Sequence, residues 1–125
     1  MSIASKICGV SDRTAINAAA DGGAGYVGFV FFSRSPRNVT PEQAAELIAL
    51  MPDDVEAVAL AVDPDDALVD AVAAIAGLTM FQLHGSERPD RVKEIKTRTG
   101  RRVIKAIKVS NAADLAVADA YFDAA

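Results

Sequence analysis

Apolar residues along the chain gather into short β-rich runs, each followed by a stretch of helical period. The runs occupy residues 3–9 (IASKICG), 26–32 (YVGFVFF), 55–62 (VEAVALAV), 79–84 (TMFQLH) and 102–109 (RVIKAIKV). Their starts lie roughly 23 to 29 residues apart, about the length of one strand, one crossover helix and two loops. Several are nearly continuous in apolar residues, the pattern of parallel strands covered on both faces rather than of in-and-out alternation. The spacing predicts five copies of one βα unit.

The intervening segments carry helix signals at their ends. Thr40-Pro41-Glu42-Gln43 has the form of a capping box with proline at the first helical position. Ala44, Leu47, Ile48 and Met51 then share one face. Asp63-Pro64 opens the next helix, with a stripe of Leu68, Val69, Val72, Ile75 and Ala76 and with Gly77 placed to end it. Val92 and Ile95 anchor a fourth helix closed by Gly100, and Asn111 starts a fifth with Leu115, Ala118 and Phe122 on one side. The first helix, 12–21, is rich in alanine. No linker or low-complexity tract interrupts the pattern, so residues 1–125 are expected to form one α/β domain. Two architectures use (βα)5: an open, doubly wound, flavodoxin-like sheet, and part of a (βα)8 barrel, which in full needs eight units. The count alone favours the open sheet.

Composition narrows the function classes. With 51% hydrophobic and 24% charged residues the chain is expected to fold. Its 13 Lys and Arg against 17 Asp and Glu give a net charge of −4, which offers no basic field for nucleic acid. No apolar run nears the ~20 residues that span a bilayer. The first six residues read as the start of a strand rather than as a leader, and the one cysteine has no internal partner. The expectation is a soluble cytoplasmic protein with no membrane association.

In both architectures ligands meet the carboxyl ends of the strands. Those ends read Lys6-Ile7-Cys8-Gly9 after the first strand, Ser35-Pro36-Arg37 after the second, Gln82-Leu83-His84-Gly85 after the fourth, and Val103-Ile104-Lys105-Ala106 within the fifth. A cysteine, an arginine and a histidine thus converge on one rim from separate stretches. They are a thiol able to act as a base, a planar cation for carboxylate or phosphate, and a titratable imidazole.

KICG, SPR before the TPEQA helix, and QLHG, in this order, closely resemble the phosphoribosylanthranilate isomerase family of tryptophan biosynthesis. The resemblance runs over essentially the whole chain. It implies a (βα)8 barrel, here represented by five units, that uses no cofactor and no metal. It also implies an Amadori rearrangement of N-(5'-phosphoribosyl)anthranilate to the 1-deoxyribulose 5-phosphate, by ring opening, a Schiff base and removal of the C2 proton.

Matched motif by motif, the resemblance makes Cys8 the general base. A free thiol, of pKa near ~8.5, needs surroundings that favour thiolate to do this near neutrality. Arg37 binds the anthranilate carboxylate, and His84 lines the anthranilate side. Lys6, on the opposite strand face from Ile7, is expected to lend the thiol positive charge. The family's general acid, an aspartate at the end of strand 6, and its phosphate-binding glycine loops after strands 7 and 8 have no counterpart here. Asp119 and Asp123 fall before any sixth strand. The expectation is therefore an N-terminal five-eighths of such an enzyme, inactive alone and inclined to self-associate or to pair with a complementary C-terminal fragment through its strand edges.

Plainer readings stand beside these. A cysteine is often a buried packing residue. The cationic stretch Arg91, Lys93, Lys96, Arg98, Arg101 and Arg102 reads as the solvated face of the fourth helix. Asp63, Asp65 and Asp66 read as helix-capping carboxylates. A receiver-like phospho-acceptor built on Asp63 with Lys105 or Lys108 needs carboxylates at the end of strand 1, where Cys8-Gly9-Val10 stands instead. A non-catalytic scaffold of five βα modules is the remaining alternative.

Overall fold

The computed structural model describes residues 3–125; Met1 and Ser2, which precede the expected strand 3–9 and read with residues 3–6 as strand-like, lie outside it. Five parallel strands alternate with four α-helices: β1 (Lys6–Cys8), α1 (Arg13–Asp21), β2 (Tyr26–Phe31), α2 (Pro41–Ile48), β3 (Glu56–Ala61), α3 (Asp66–Ala73), β4 (Leu78–Leu83), α4 (Pro89–Thr99) and β5 (Arg102–Lys105). The strands lie side by side in chain order, β1-β2-β3-β4-β5. That order overturns the flavodoxin-like alternative, in which β1 sits inside the sheet and helices cover both faces.

All four helices pack on one face. In register Val27 meets Ala57, Ala59 meets Phe81 and Phe81 meets Val103, so these residues project to the same side. They join Ile16 and Ala19 of α1, Ala44 and Ile48 of α2, Val69 and Val72 of α3, and Val92 and Ile95 of α4 in a single buried cluster. Full burial of Phe29 or Phe81 there contributes roughly 1.5–3 kcal/mol each. The alternate residues Val30, Val58 and Met80 are buried too, but outside that cluster, on the concave face. Right-handed crossovers always returning to one side curl a parallel sheet toward a barrel.

Local signals explain most element ends. Thr40 Oγ1 accepts the Gln43 amide at 3.1 Å while Gln43 Oε1 accepts the Thr40 amide at 2.9 Å, the expected reciprocal cap with Pro41 behind it. Helix α3 opens two residues later than Asp63-Pro64 implies, because Asp65 accepts the Leu68 amide at 2.8 Å and so becomes the cap. Strands β1 and β5 are shorter than their apolar runs. Each is an edge strand with one neighbour, and Ile3, 94% exposed, has nothing to pair with.

The fifth helix is a correction. Residues Ala112–Tyr121 form a 3-10 helix, capped by Asn111 as expected, and three residues per turn replace 3.6. Ala118, Tyr121 and Ala124 therefore share the inward side, while Phe122 is 78% exposed. The cationic stretch is largely the solvated face expected, with Lys93, Lys96, Arg98 and Arg102 exposed and Arg91 and Arg101 part-buried. Arg91 bonds Asp66 and the Pro64 carbonyl, and Arg98 forms a two-pronged pair with Asp70 at 2.7 and 2.8 Å. These charges dock α4 on α3, and the Arg98 hydrogen bonds hold the Asp70 carboxyl below its ordinary range.

Candidate active site

The carboxyl ends of the strands form one rim. At the end of β1, Cys8 is half-buried and stands opposite Gly28 of β2. A Cβ on Gly28 would come within 3.1 Å of Cys8 Sγ and 3.4 Å of Lys6 Nζ. The bare backbone there leaves room for thiol and ammonium over the same point of the concave face, where strand alternation placed Lys6. Gly9 then turns the chain with φ +81°, so that both the Gly9 and the Val10 amides donate to the Gly28 carbonyl, at 2.9 and 3.1 Å. Only glycine takes this left-handed conformation without strain.

Arg37 reaches this corner from the loop after β2. Ser35 Oγ accepts the Arg37 amide at 3.1 Å, and the Val39 amide donates to the Val30 carbonyl at 2.9 Å, pinning the loop back on the sheet. The guanidinium lies across Gly9. Arg37 Nη1 donates to the Cys8 carbonyl at 3.4 Å, and a Cβ on Gly9 would stand 2.6 Å from the same nitrogen. A cation able to grip a carboxylate thus sits on the residue that carries the thiol, and Arg37 itself remains exposed.

His84 stands elsewhere on the rim. Its amide donates to the Ala61 carbonyl at 2.9 Å, extending the β3–β4 ladder by one bond. Its side chain lines a cavity of about 460 Å³ shared with Asp63, Ser86, Lys105, Lys108 and Tyr121. Cys8 and Arg37 do not line that cavity. The structure therefore brings together Lys6, Cys8 and Arg37, and places His84 on the same rim three strands away.

Sequence reasoning missed Glu87. It is 3% exposed, in the turn between β4 and α4, and its carboxylate pairs with Lys105 Nζ at 2.8 Å. Burial pushes the Glu87 carboxyl up, but the hydrogen bond from Lys105 and those from backbone amides outweigh it and hold the group below its ordinary range. A signal was present: Lys105 follows Val103 on the helix-facing side of β5, where a lysine requires a buried partner. Asp63 neither caps a helix nor stands free. Its carboxylate accepts the Ser86 amide at 3.0 and 3.2 Å; the receiver-like reading falls with the chain-order sheet, which is not the doubly wound order that fold requires. Among the described residues no group of three or more His, Cys, Asp or Glu is placed to hold a metal ion, and no helix is long and apolar enough to cross a membrane.

The sequence profile of the family described as N-(5'phosphoribosyl)anthranilate (PRA) isomerase matches residues 5–124. The chain belongs to the phosphoribosylanthranilate isomerase family. It is 52% identical over 123 residues to the N-(5'-phosphoribosyl)anthranilate isomerase of Paracoccus denitrificans, covering 98% of this chain and 56% of that one. Against the same enzyme of Paramagnetospirillum magneticum it is 50% identical over 121 residues, covering 97% and 56%. The chain thus spans little more than half the length of the curated relatives it matches. Among solved structures it is similar to phosphoribosylanthranilate isomerase from Thermotoga maritima, with a TM-score of 0.90 at 33% identity over 98% of this chain and 58% of that one. A phosphoribosylanthranilate isomerase crystallised with reduced 1-(o-carboxyphenylamino)-1-deoxyribulose 5-phosphate also superposes with a TM-score of 0.90, at 33% identity over 98% of this chain and 62% of that one. The family resemblance carried by KICG, SPR and QLHG is thereby confirmed, and the five βα units superpose on part of the barrel of solved phosphoribosylanthranilate isomerases.

Proposed function

We propose that these 125 residues supply the base and the anthranilate-binding side of an N-(5'-phosphoribosyl)anthranilate isomerase of tryptophan biosynthesis. The observation that carries the reading is the corner made by Cys8, Gly9, Gly28 and Arg37, where an accessible thiol and a guanidinium are packed onto one backbone turn. In the Amadori rearrangement the ring-opened substrate is a protonated Schiff base. Cys8 as thiolate takes the C2 proton, the C2–H bonding pair becomes the C1–C2 double bond, and the C1–N π pair neutralises the iminium nitrogen. The resulting enolamine then tautomerises to the 1-amino-1-deoxyketose. Arg37 holds the anthranilate carboxylate with its planar fork, which fixes the aryl amine relative to the thiol. His84 borders the anthranilate side, and Lys6 supplies positive charge on the concave face.

No carboxylate of this chain is assigned the role of acid. Asp119 and Asp123 are exposed, on and just after the 3-10 segment, and no loop here is assigned the substrate phosphate. Without those parts the chain alone is expected to give no turnover; supplied with the family's C-terminal βα units in trans it is expected to isomerise phosphoribosylanthranilate. Removing a positioned general base costs ~10²–10⁴-fold, so Cys8→Ala should fall by that factor in the complemented protein. Undiminished turnover in Cys8→Ala would remove the thiol from the mechanism. A free cysteine as base suits a reducing compartment, and on that ground the reaction is placed in the cytoplasm.

The second reading, a scaffold that pairs with another copy or with a complementary fragment, is favoured by the two sheet edges. Ile7 of β1 and Ile104 of β5 are 46% and 41% exposed on strands with one neighbour each. Sedimentation of the purified chain tests it, and a monomer at micromolar concentration opposes it.

A further inference from the structure

One carboxylate touches the carboxyl ends of three strands. Glu87 Oε2 accepts the Asp63 amide at 2.7 Å, just past β3. Glu87 Oε1 accepts the Gly85 amide at 2.9 Å, just past β4, and receives Lys105 Nζ at 2.8 Å from the end of β5. Lys105 Nζ also donates to the Gly85 carbonyl at 2.7 Å, so the Gly85 residue is held at both its amide and its carbonyl. The Tyr121 hydroxyl donates to the Glu87 carbonyl at 2.6 Å and its ring lies 5.8 Å from the ammonium. Both charged side chains are nearly inaccessible, at 1% and 6% exposure.

The backbone around this carboxylate is not one a chain adopts unaided. Asp63 has φ +44°, the one positive φ of a non-glycine among the described residues. Such a conformation is uncommon outside glycine and persists where surrounding bonds over-determine it. At Gly85 the constraint is space, since a Cβ there would stand 2.5 Å from Asp63 Oδ2. A buried ion pair is often no more stabilising than apolar side chains of the same volume, so its contribution here is sought in geometry.

We propose that Glu87 is a positioning residue of the rim: paired with Lys105, it accepts the Asp63 and Gly85 amides and so fixes the turn that presents His84 to its cavity. Its effect reaches a ligand only through His84, Gly85 and Ser86, and for that ligand, an aryl carboxylate, it rests on the function proposed above. The geometric part stands independently of any ligand.

Two charge-neutral double variants of the 125-residue chain separate positioning from space filling. Glu87→Leu with Lys105→Met removes both charges and the acceptors. Glu87→Gln with Lys105→Met removes the charges and keeps an acceptor oxygen for the two amides. His84 is the single histidine of the chain, so its imidazole cross-peaks in a nitrogen-15 NMR spectrum need no assignment. The Gln/Met variant is expected to keep the wild-type imidazole peaks and slow amide exchange at Asp63 and Gly85. The Leu/Met variant is expected to shift those peaks and to exchange both amides at least about tenfold faster, as local opening does. A folded Leu/Met variant with wild-type imidazole peaks and amide protection overturns the proposal, as does a folded Gln/Met variant that has lost them. Should Leu/Met not fold, the Gln/Met comparison decides alone. Titration with anthranilate adds the functional arm: the Leu/Met affinity is expected to fall at least about tenfold, in keeping with the steep cost of ~1 Å misplacements. A wild-type chain that does not bind anthranilate counts against the proposed function, while the imidazole and exchange readouts still decide the role of Glu87.

Discussion

Gly9 and Gly23 hold nearly the same backbone angle, φ +81° and +84°, yet their surroundings are opposites. A Cβ on Gly23 would meet nothing within 4 Å, whereas one on Gly9 would stand 2.6 Å from Arg37 Nη1 and 2.8 Å from Arg37 Cδ and Cζ. Alanine at either site forces an L residue into the left-handed region, at roughly 1–2 kcal/mol. Part of that, ~0.4–1 kcal/mol, is returned because alanine also restricts the unfolded chain. The net loss is therefore about 1 kcal/mol at each site, a fall in Tm of about 4 °C for a domain of this size. The displaced Arg37 adds little to stability, since its 3.4 Å hydrogen bond is long and the side chain is exposed.

The two variants must then part company in binding. Gly9→Ala lifts the guanidinium off the Cys8 corner, and Gly23→Ala leaves it alone. Urea unfolding should give matched losses, while calorimetric titration with anthranilate should show weaker binding in Gly9→Ala only, by about tenfold for one charge-assisted pair lost. Equal affinities in the two variants would refute the idea that Gly9 seats Arg37 for the ligand. An undiminished urea midpoint in Gly23→Ala would refute the backbone argument itself.

Four further outcomes follow from the same structure. Thr40→Ala removes one half of the α2 capping box and should cost ~1 kcal/mol in urea unfolding. Glu87→Gln alone leaves the Lys105 ammonium buried beside a neutral partner and should cost about 3–5 kcal/mol. Because the Glu87 carboxyl lies below its ordinary range when folded, the stability it contributes is fully present above the usual glutamate pKa of ~4.3. That contribution fades as pH falls toward the lowered folded value, so acid unfolding should be less steep in the Gln/Met double variant than in wild type. Tyr121→Phe deletes the 2.6 Å bond to the Glu87 carbonyl and should cost about 1 kcal/mol; faster proteolysis within the 3-10 segment than in wild type is the accompanying sign.

The strands, four of the five helical segments and the capping box of α2 were legible because each rests on local chemistry: apolar period, a cap hydroxyl, a proline at the first turn. Strand order was not, since five βα units satisfy the open sheet and the partial barrel alike. The family motifs, rather than periodicity, pointed to the barrel. The 3-10 segment escaped for a different reason. Residues 111–122 are rich in alanine and tolerate either period, and Tyr121, not Phe122, finds a partner in the Glu87 carbonyl. Cys8 and Arg37 were named from separate motifs, but their contact depends on a loop folding back by one bond from Val39 to Val30, which no spacing rule encodes.

Glu87 marks the more general limit. Read along the chain, Ser86-Glu87-Arg88-Pro89 is an ordinary polar turn, and nothing local separates Glu87 from the exposed acids around it. The informative residue lies 18 positions away. Lys105 shares a strand face with Val103, and a lysine on a face covered by helices needs a carboxylate within reach or loses its charge. Four acids lie within five residues of the carboxyl ends of β3 and β4: Asp63, Asp65, Asp66 and Glu87. Asp65 caps α3, Asp66 pairs with Arg91 and Asp63 accepts the Ser86 amide, which leaves Glu87. Strand parity followed by elimination among the neighbouring acids thus singles out the residue that composition and motif both pass over. It is also the one that ties β3, β4 and β5 together behind His84.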